Sequence, residues 1–182
     1  MSEYRDRYKG RAAAVLGGGP SLPADMQKLP PGCLLIAVNY HAFYLCQPDF
    51  MVYNDQPEST PELLAAVDAA QVVRVSSDPT SDIEFDMDVW TGFYSSNTAA
   101  WFALWMGCDP VILCGMDLYQ GKQAYFHEYE EKPQFHYPLE HHIQPWIEEA
   151  KSRLPGWKKV RAMSGPLVNI FGQYEPVDAL LG

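Results

Sequence analysis

The chain has 182 residues, of which 47% are hydrophobic and 20% charged, as expected for one soluble globular domain with a real core. No apolar run approaches the roughly 20 residues that span a bilayer, and the charged N-terminus lacks the apolar core of a signal peptide. The formal net charge of −10 argues against a broad electrostatic grip on nucleic acid. These features predict a cytoplasmic protein that spans no membrane and binds no nucleic acid.

Strands and helices alternate along the predicted chain. The pattern predicts strands at 12–17, 34–38, 50–53, 71–75, 111–114 and 158–163, and helices at 22–29, 61–70, 98–106 and 143–154. Most strands are apolar without alternation, which is typical of a parallel sheet covered on both faces. We therefore predict an α/β protein, a single-domain Rossmann-like sandwich over residues 1–182 with a mostly parallel central sheet and helices on both faces. Residues 1–10 are predicted to be flexible, 76–93 to form a surface loop and 119–141 a lid-like loop.

A glycine-rich turn, Gly17-Gly18-Gly19-Pro20-Ser21, follows the first strand. It is neither a G-x-G-x-x-G run nor a P-loop. Glycine lets the backbone approach a ligand closely and adopt positive φ, and exposed N–H groups at the start of the next helix can bind phosphate. The alternative is a tight strand–helix turn with no ligand.

Polar residues also follow three later strands. Asn39 ends the second strand, Asn54 and Asp55 end the third, and Gly115 and Asp117 follow the fifth. Ligands of parallel sheets gather at these strand ends, and an asparagine amide suits a base or a sugar hydroxyl. An Asx turn explains any one of them alone, but their equivalent positions favour a site. Asp117 is suited to a metal, to a ribose or to holding a loop.

Histidines and tyrosines concentrate in the second long loop. Histidine suits a general base because its charge changes near neutral pH, although a solvated loop histidine is the competing interpretation. The spacing matches no zinc signature, and the four cysteines form no C-x-x-C pair, so we predict no metal site and free, buried thiols. A phenol can stabilise a leaving phosphate while neutral, with ordinary aromatic packing as the alternative. The residues concerned are His127, His136, His141, His142, Tyr119 and Tyr125.

Three of these motifs together resemble the bacterial sialyltransferases of glycosyltransferase family 42. They are the turn at 17–22, Asn39, and the run Gly115-Met116-Asp117-Leu118-Tyr119-Gln120. The same motifs resemble a broader related group that includes the domain of unknown function 115 proteins and similar phage-encoded proteins. The resemblance extends over roughly residues 11–171 and is patchy between 55 and 94.

The resemblance implies a metal-independent glycosyltransferase that needs no cofactor. Its substrates would be a nucleotide-activated sugar, with a CMP-sugar favoured, and an unknown acceptor. In the family, the glycine turn, the asparagine after strand two and a serine-bearing turn before a later helix hold the nucleotide. The residues that we predict to bind it are Gly17, Gly18, Gly19, Pro20, Ser21, Asn39, Asp55, Ser95, Ser96, Asn97, Gly115 and Asp117.

The resemblance also implies catalytic roles. Tyr119 and Tyr125 match the family's pair of tyrosines, six residues apart, that stabilises the leaving phosphate. His141 takes the place of the family base, with His142 and His136 as further candidates. Two motifs depart from the family pattern: Gly18 stands where an asparagine is usual, and Ser-Ser-Asn at 95–97 stands where Thr-Ser-Gly is usual.

Two other functions stay open. One is a pterin pyrophosphokinase-like enzyme, which resembles the same group and would need Mg²⁺, with Asp117 and Asp55 as its ligands. The other is a non-catalytic nucleotide-binding or phage accessory domain. A homo-oligomer is also open, because four large aromatic residues could serve either an interface or the core; they are Trp90, Phe93, Trp101 and Trp105.

Overall fold

A seven-stranded sheet forms the centre of the protein. The computed structural model describes most of the chain, namely residues 2–55, 61–85, 94–118, 125–127, 140–153 and 156–176. The strands are β1 Ala13–Leu16, β2 Leu34–Val38, β3 Phe50–Val52, β4 Val73–Ser76, β5 Ile83–Glu84, β6 Val111–Cys114 and β7 Val160–Ala162. Their order in the sheet is β5-β4-β3-β2-β1-β6-β7, and each neighbouring pair is parallel. The predicted α/β fold with a parallel sheet is confirmed.

Helices cover the sheet, and some begin or end away from their predicted bounds. The helices are α1 Leu22–Met26, α2 Pro61–Ala69, α3 Ser95–Trp105, α4 Glu140–Arg153 and α5 Val168–Phe171, with 3₁₀ turns at Ser2–Tyr4, His41–Tyr44 and Trp157–Lys159. α1 is shorter than predicted, whereas α3 and α4 each begin three residues earlier. The predicted loop at 76–93 contains β5, which pairs with β4 at the edge of the sheet.

The two faces of the sheet have separate cores, because side chains alternate along each strand. In β1, Ala13 and Val15 face a large core built with α3 and α4, while Ala14 and Leu16 face the core that includes α1. All four side chains are fully buried. A sheet buried on both faces explains why its strands read as continuous apolar runs.

The N-terminal segment, for which the sequence predicts flexibility, is docked against the end of α3. The backbone N–H of Asp6 donates to the carbonyl of Trp105 at 3.2 Å, and that of Tyr8 donates to the carbonyl of Met106 at 2.9 Å. The ring of Tyr8 also meets Phe50 of β3 edge-on, with centroids 6.2 Å apart. These contacts make the segment part of the larger core.

The aromatic residues of α3 serve this core, since Trp101 and Trp105 are partly buried against it. Trp90 and Phe93 lie outside the described residues. All four cysteines are free, and Cys108 and Cys114 are buried as predicted, whereas Cys33 and Cys46 are only half-buried. Among the described helices, none has the length and apolar character needed to cross a membrane.

The order in which the chain adds strands to the sheet reverses at β1. It first adds β2 to β5 on one side of β1 and then returns to place β6 on the other side. The register aligns Leu16 with Ala37 of β2 and with Cys114 of β6, so the turns after these three strands emerge together. Such a switch point leaves a crevice at the carboxyl ends of the strands, where ligands of open α/β sheets bind.

A buried carboxylate connects the turns on either side of this crevice. Asp25 in α1 is 1% exposed. Its Oδ2 accepts hydrogen bonds from Ser21 Oγ at 3.0 Å, the Gly115 N–H at 2.9 Å and Ser164 Oγ at 2.9 Å. Asp25 therefore joins α1 to the ends of β6 and β7.

We expect Asp25→Ala to lower the free energy of unfolding by about 2–3 kcal/mol, because the buried Gly115 N–H loses its acceptor. Urea unfolding followed by circular dichroism measures the loss. Asp49→Ala is the matched control, because Asp49 accepts the Leu35 N–H at 2.8 Å in an exposed position; it should cost less than about 1 kcal/mol. Equal losses for the two variants would contradict the bracing role of Asp25.

Candidate functional site

A pocket of about 340 Å³ lies at the switch point. It is formed by the turns after β1, β2, β3 and β6, the start of α3 and residue 125. Ten of the predicted site residues line it: Gly17, Gly18, Gly19, Asn39, Asp55, Ser95, Ser96, Gly115, Asp117 and Tyr125. The remaining described lining residues, which the sequence analysis did not single out for the site, are Val38, His41, Tyr94, Met116, Leu118 and Trp146.

The glycine turn packs directly on the turn after β6. A Cβ added to Gly17 would lie 2.5 Å from the carbonyl oxygen of Gly115, and one added to Gly19 would collide with the Asp117 carboxylate. Gly115 has φ +63°, a conformation that favours glycine, and a Cβ there would meet Leu22. These three glycines are therefore required by the contact between two turns, irrespective of any ligand.

Most N–H groups of this turn already have partners, which corrects the expectation that they are open to phosphate. Gly17 N donates to Cys114 O and Gly19 N to Gly115 O, each at 2.8 Å, and Ser21 N donates to Asp117 Oδ2 at 3.0 Å. The N–H of Gly18 makes no hydrogen bond within the described part of the chain. Pro20 has no N–H, so Gly18 supplies the remaining backbone donor of the turn.

The same hydrogen bond gives Asp117 a structural contact. Its carboxylate lines the pocket and, by accepting from Ser21 N, holds the glycine turn against the turn after β6. Ser21 and Pro20 do not line the pocket. Of the functions that the sequence left open for Asp117, holding a loop is the one that this contact supports.

Asn39 places a polar side chain at the floor of the pocket. Its φ of +54° lies in the left-handed region, where asparagine is favoured among side-chain-bearing residues. Its backbone N–H donates to Val52 O at 2.9 Å, which fixes the turn on β3. The side-chain Oδ1 is buried and has no hydrogen-bond partner among the described residues. A buried acceptor without a donor is costly, so this oxygen is suited to a ligand N–H or O–H.

The first turn of α3 connects the pocket to α4. Ser96 Oγ accepts the indole N–H of Trp146 at 2.8 Å, and the Asn97 side-chain amide donates to Trp146 O at 3.2 Å and to Glu149 Oε1 at 2.8 Å. Ser95 Oγ accepts the Asn54 N–H at 3.2 Å. Asn97 is buried and does not line the pocket, so its position supports a role in docking α4 and not in ligand contact.

Three ring-bearing residues form a cluster at one wall of the pocket, hereafter the ring cluster: His41, Tyr125 and His127. His41 and Tyr125 are stacked with centroids 4.2 Å apart and an interplanar angle of 19°. His41 Nδ1 lies 2.9 Å from His127 Nε2 in a hydrogen bond. The sequence analysis missed His41, although its position two residues after Asn39 at the end of a strand was the available signal.

Burial controls the protonation of His41, because only 6% of the surface of this residue is exposed. Desolvation, the larger cause, and the electrostatic influence of His127 together lower the pKa of His41 to about 3. The rings that face it are those of Tyr40, Tyr125 and His127. The imidazole of His41 is therefore neutral at physiological pH.

The other predicted catalytic residues are located only in part. His141 and His142 lie in the first turn of α4, the helix that Ser96 and Asn97 dock. Tyr119 and His136 lie outside the described residues. Within the described residues, no three side chains of His, Cys, Asp or Glu come together as a metal site would require.

The parallel sheet and the pocket at its switch point define a Rossmann-like α/β protein, and its fold is that of bacterial sialyltransferases. The sialyltransferase CstII from Campylobacter jejuni, solved with the substrate analogue CMP-3FNeuAc, superposes with a TM-score of 0.61 at 17% identity, over 91% of this chain and 87% of that one. The monofunctional α-2,3-sialyltransferase Cst-I from the same organism gives 0.58 at 16% identity, over 90% and 80%. No sequence-family model and no curated protein sequence matches the chain. The resemblance to family 42 sialyltransferases is confirmed at the level of the fold.

We expect the stability of the protein to fall in acid because of His41. The unfolded chain binds a proton at this residue below about pH 6.5, whereas the folded protein binds it only below about 3. Stability is therefore complete above pH 6.5 and is lost as the pH falls towards 3, by at most about 1.4 kcal/mol per pH unit from this one proton. Urea unfolding at several pH values measures the slope.

His41→Phe is the comparison for this slope, because phenylalanine keeps a ring that cannot be protonated. The unfolding free energy of the wild type minus that of the variant should decrease as the pH falls from 6.5 to 3, because only the wild type loses stability through His41. A constant difference across that range would show that His41 is as easily protonated in the folded protein as in the unfolded chain.

Proposed function

We propose that this protein is a glycosyltransferase that moves a sugar from a nucleotide-activated donor, with a CMP-linked sugar favoured, to an acceptor hydroxyl. The observation that carries the proposal is the buried Oδ1 of Asn39, a residue that lines the pocket at the switch point; this oxygen has no hydrogen-bond partner in the part of the chain that the structure describes. A nucleoside brings amine and hydroxyl donors of the kind that this oxygen lacks. The pocket volume falls in the range of about 300–1,000 Å³ that is usual for small-molecule sites.

The chemistry of the pocket wall suits a phosphate held without positive side chains. None of the described lining residues is a lysine or an arginine. The Gly18 N–H donates to no other described residue, and both Gly18 and Tyr125 line the pocket. A backbone N–H and neutral phenols can stabilise a departing phosphate through preorganised hydrogen bonds. We assign this role to Tyr125 and, by its spacing, to Tyr119.

The structural neighbours give the proposal its choice of donor. CstII was solved with CMP-3FNeuAc and with cytidine-5′-monophosphate, and CST-II with CMP and a trisaccharide acceptor. Together with Gly18, Asn39 and Ser96 at one pocket, these ligands favour a CMP-sugar for this chain. The acceptor class is taken from the same neighbours as a saccharide hydroxyl.

The transfer step follows from these assignments. The acceptor oxygen attacks the anomeric carbon of the donor, the bond from that carbon to the phosphate oxygen breaks, and the nucleoside monophosphate leaves with the bonding electron pair. His141 takes the proton of the acceptor hydroxyl, with His142 and His136 as the other candidates. Charge on the departing phosphate is met by the tyrosines and the Gly18 N–H, so the step requires no metal ion.

We expect Asn39→Gly to weaken CMP binding about tenfold, because it removes the side-chain amide while keeping the left-handed backbone. Isothermal titration calorimetry with CMP measures the affinity. Asp6→Gly is the matched control, since Asp6 has φ +57° and lies away from the pocket; its affinity for CMP should equal that of wild type. Wild-type protein that binds no CMP would rule out the favoured donor.

We expect His141→Ala to lower turnover of a CMP-sugar by about 10²–10⁴-fold while CMP affinity stays near that of wild type, because a general base acts on the acceptor. Release of CMP with a saccharide acceptor measures turnover, and His142→Ala distinguishes the two neighbours. Wild-type turnover should survive dialysis against EDTA. Activity that is lost with EDTA and restored by Mg²⁺ would instead favour the pyrophosphokinase-like alternative.

A further inference from the structure

The space above Gly18 is filled by two rings of the ring cluster. A Cβ added to Gly18 would lie 2.7 Å from His41 Cγ and 2.7 Å from Tyr125 Cδ1. The ring of Tyr40 also contacts His41, with centroids 4.4 Å apart and an interplanar angle of 35°. The stacked rings of His41 and Tyr125 therefore rest on the glycine turn.

Two hydrogen bonds join residues 125–127 to this stack and to the turn below it. The backbone N–H of Phe126 donates to the carbonyl oxygen of Gly18 at 3.0 Å. His127 Nε2 is bonded to His41 Nδ1 at 2.9 Å, and its ring also meets that of Tyr44 at 4.3 Å. The short segment that carries Tyr125 is thus held at its backbone by Gly18 and at its side chains by His41.

We propose that His41 is a positioning residue that sets Tyr125 against Gly18, so that the phenol faces the phosphate of the bound nucleotide. This inference rests on the proposed function, because it concerns the use of Tyr125 on a phosphate. His41 acts through Tyr125 in two ways: it supplies the face on which the phenol ring stacks, and it ties the same segment down through His127. Aromatic pairs at this separation stabilise the folded protein by more than the burial of their apolar surface alone would.

Gly18 is the complementary part of this arrangement. Any side chain at position 18 would enter the volume that the His41 and Tyr125 rings occupy. The hydrogen bond between His41 and His127 requires that at least one of the two imidazoles be uncharged, since two imidazolium rings would both be donors and would repel one another. The neutral, buried His41 meets this requirement at neutral pH.

The first test measures the segment without any ligand. Hydrogen exchange of the Phe126 amide, followed by NMR, should be at least about tenfold faster in His41→Ala than in wild type, because the segment opens more often. Exchange at β1 and β6 should not change. Leu45→Ala is the control, since Leu45 lies beside the same 3₁₀ turn with 42% of its surface exposed. An unchanged Phe126 exchange rate in His41→Ala would overturn the inference.

The second test asks whether the positioning serves the phosphate, with CMP and cytidine as the two ligands. His41→Ala and Tyr125→Phe should each weaken CMP binding about tenfold and leave cytidine binding unchanged, since a hydrogen bond to a charged group is lost. The double variant should be no weaker than Tyr125→Phe alone, because His41 acts through that phenol. Additive losses, or an equal loss for cytidine, would overturn the inference.

His41→Phe covers the case in which the alanine variant does not fold. It keeps the ring stack and loses the bond to His127, so Phe126 exchange should still be faster while CMP affinity lies between those of wild type and Tyr125→Phe. Wild-type protein that binds no CMP would remove the CMP-linked donor from the proposed function. The Phe126 exchange rate would then still decide whether His41 holds the segment, so the two failures are distinguishable.

Discussion

The structure depends on how closely the turns after β1 and β6 approach one another. Gly17 and Gly19 leave room for the Gly115 carbonyl and the Asp117 carboxylate. Hydrogen bonds from Gly17 N to Cys114 O and from Gly19 N to Gly115 O then join the two turns. Asp25 accepts hydrogen bonds from both turns, from Ser21 Oγ on one and from Gly115 N on the other. Because the pocket lies directly above it, the position of every lining residue on β1 and β6 follows from this backbone contact. The contact between the two turns is by itself a sufficient reason for these glycines.

The sheet was predictable because its strands are short, apolar and separated by turn residues. The same pattern located the strand ends at Gly17, Asn39 and Gly115, and parallel register then brings those ends together. β5 was missed because two residues, Ile83 and Glu84, carry no periodic signal of their own. Their pairing with β4 depends on tertiary contacts, which cannot be predicted from the local sequence.

The details of the site were harder to predict, because they depend on contacts between distant parts of the chain. The sequence treated Ser95–Asn97 as a turn before a helix, but these residues form the first turn of α3. Trp146 reaches Ser96 from fifty residues away, and no local motif marks it. The donors of the glycine turn were expected to be open, yet Ser21 N is taken by Asp117, 96 residues further along.

The electrostatics of the pocket are consistent with a chain that carries a formal charge of −10. A phosphate that is bound by lysines or arginines becomes sensitive to salt, because those charges are screened and exchange with counterions. Here the described pocket wall offers a backbone N–H and a phenol, and it includes no lysine or arginine. The strength of such hydrogen bonds depends on their angle and length. The pocket therefore depends on the placement of its donors more than on long-range attraction between charges.

This dependence gives a physical reason for the glycine at position 18, where family 42 sialyltransferases usually have asparagine. An asparagine there would bring its own amide to a ligand, but it would occupy the volume of the His41 and Tyr125 rings. Glycine gives up that amide and in return allows the two rings to stack on the turn, with Phe126 N bonded to the Gly18 carbonyl. The departure from the family pattern therefore exchanges one side-chain contact for a fixed phenol. On this argument Gly18 and His41 form one structural unit, and neither residue can be changed without affecting the other.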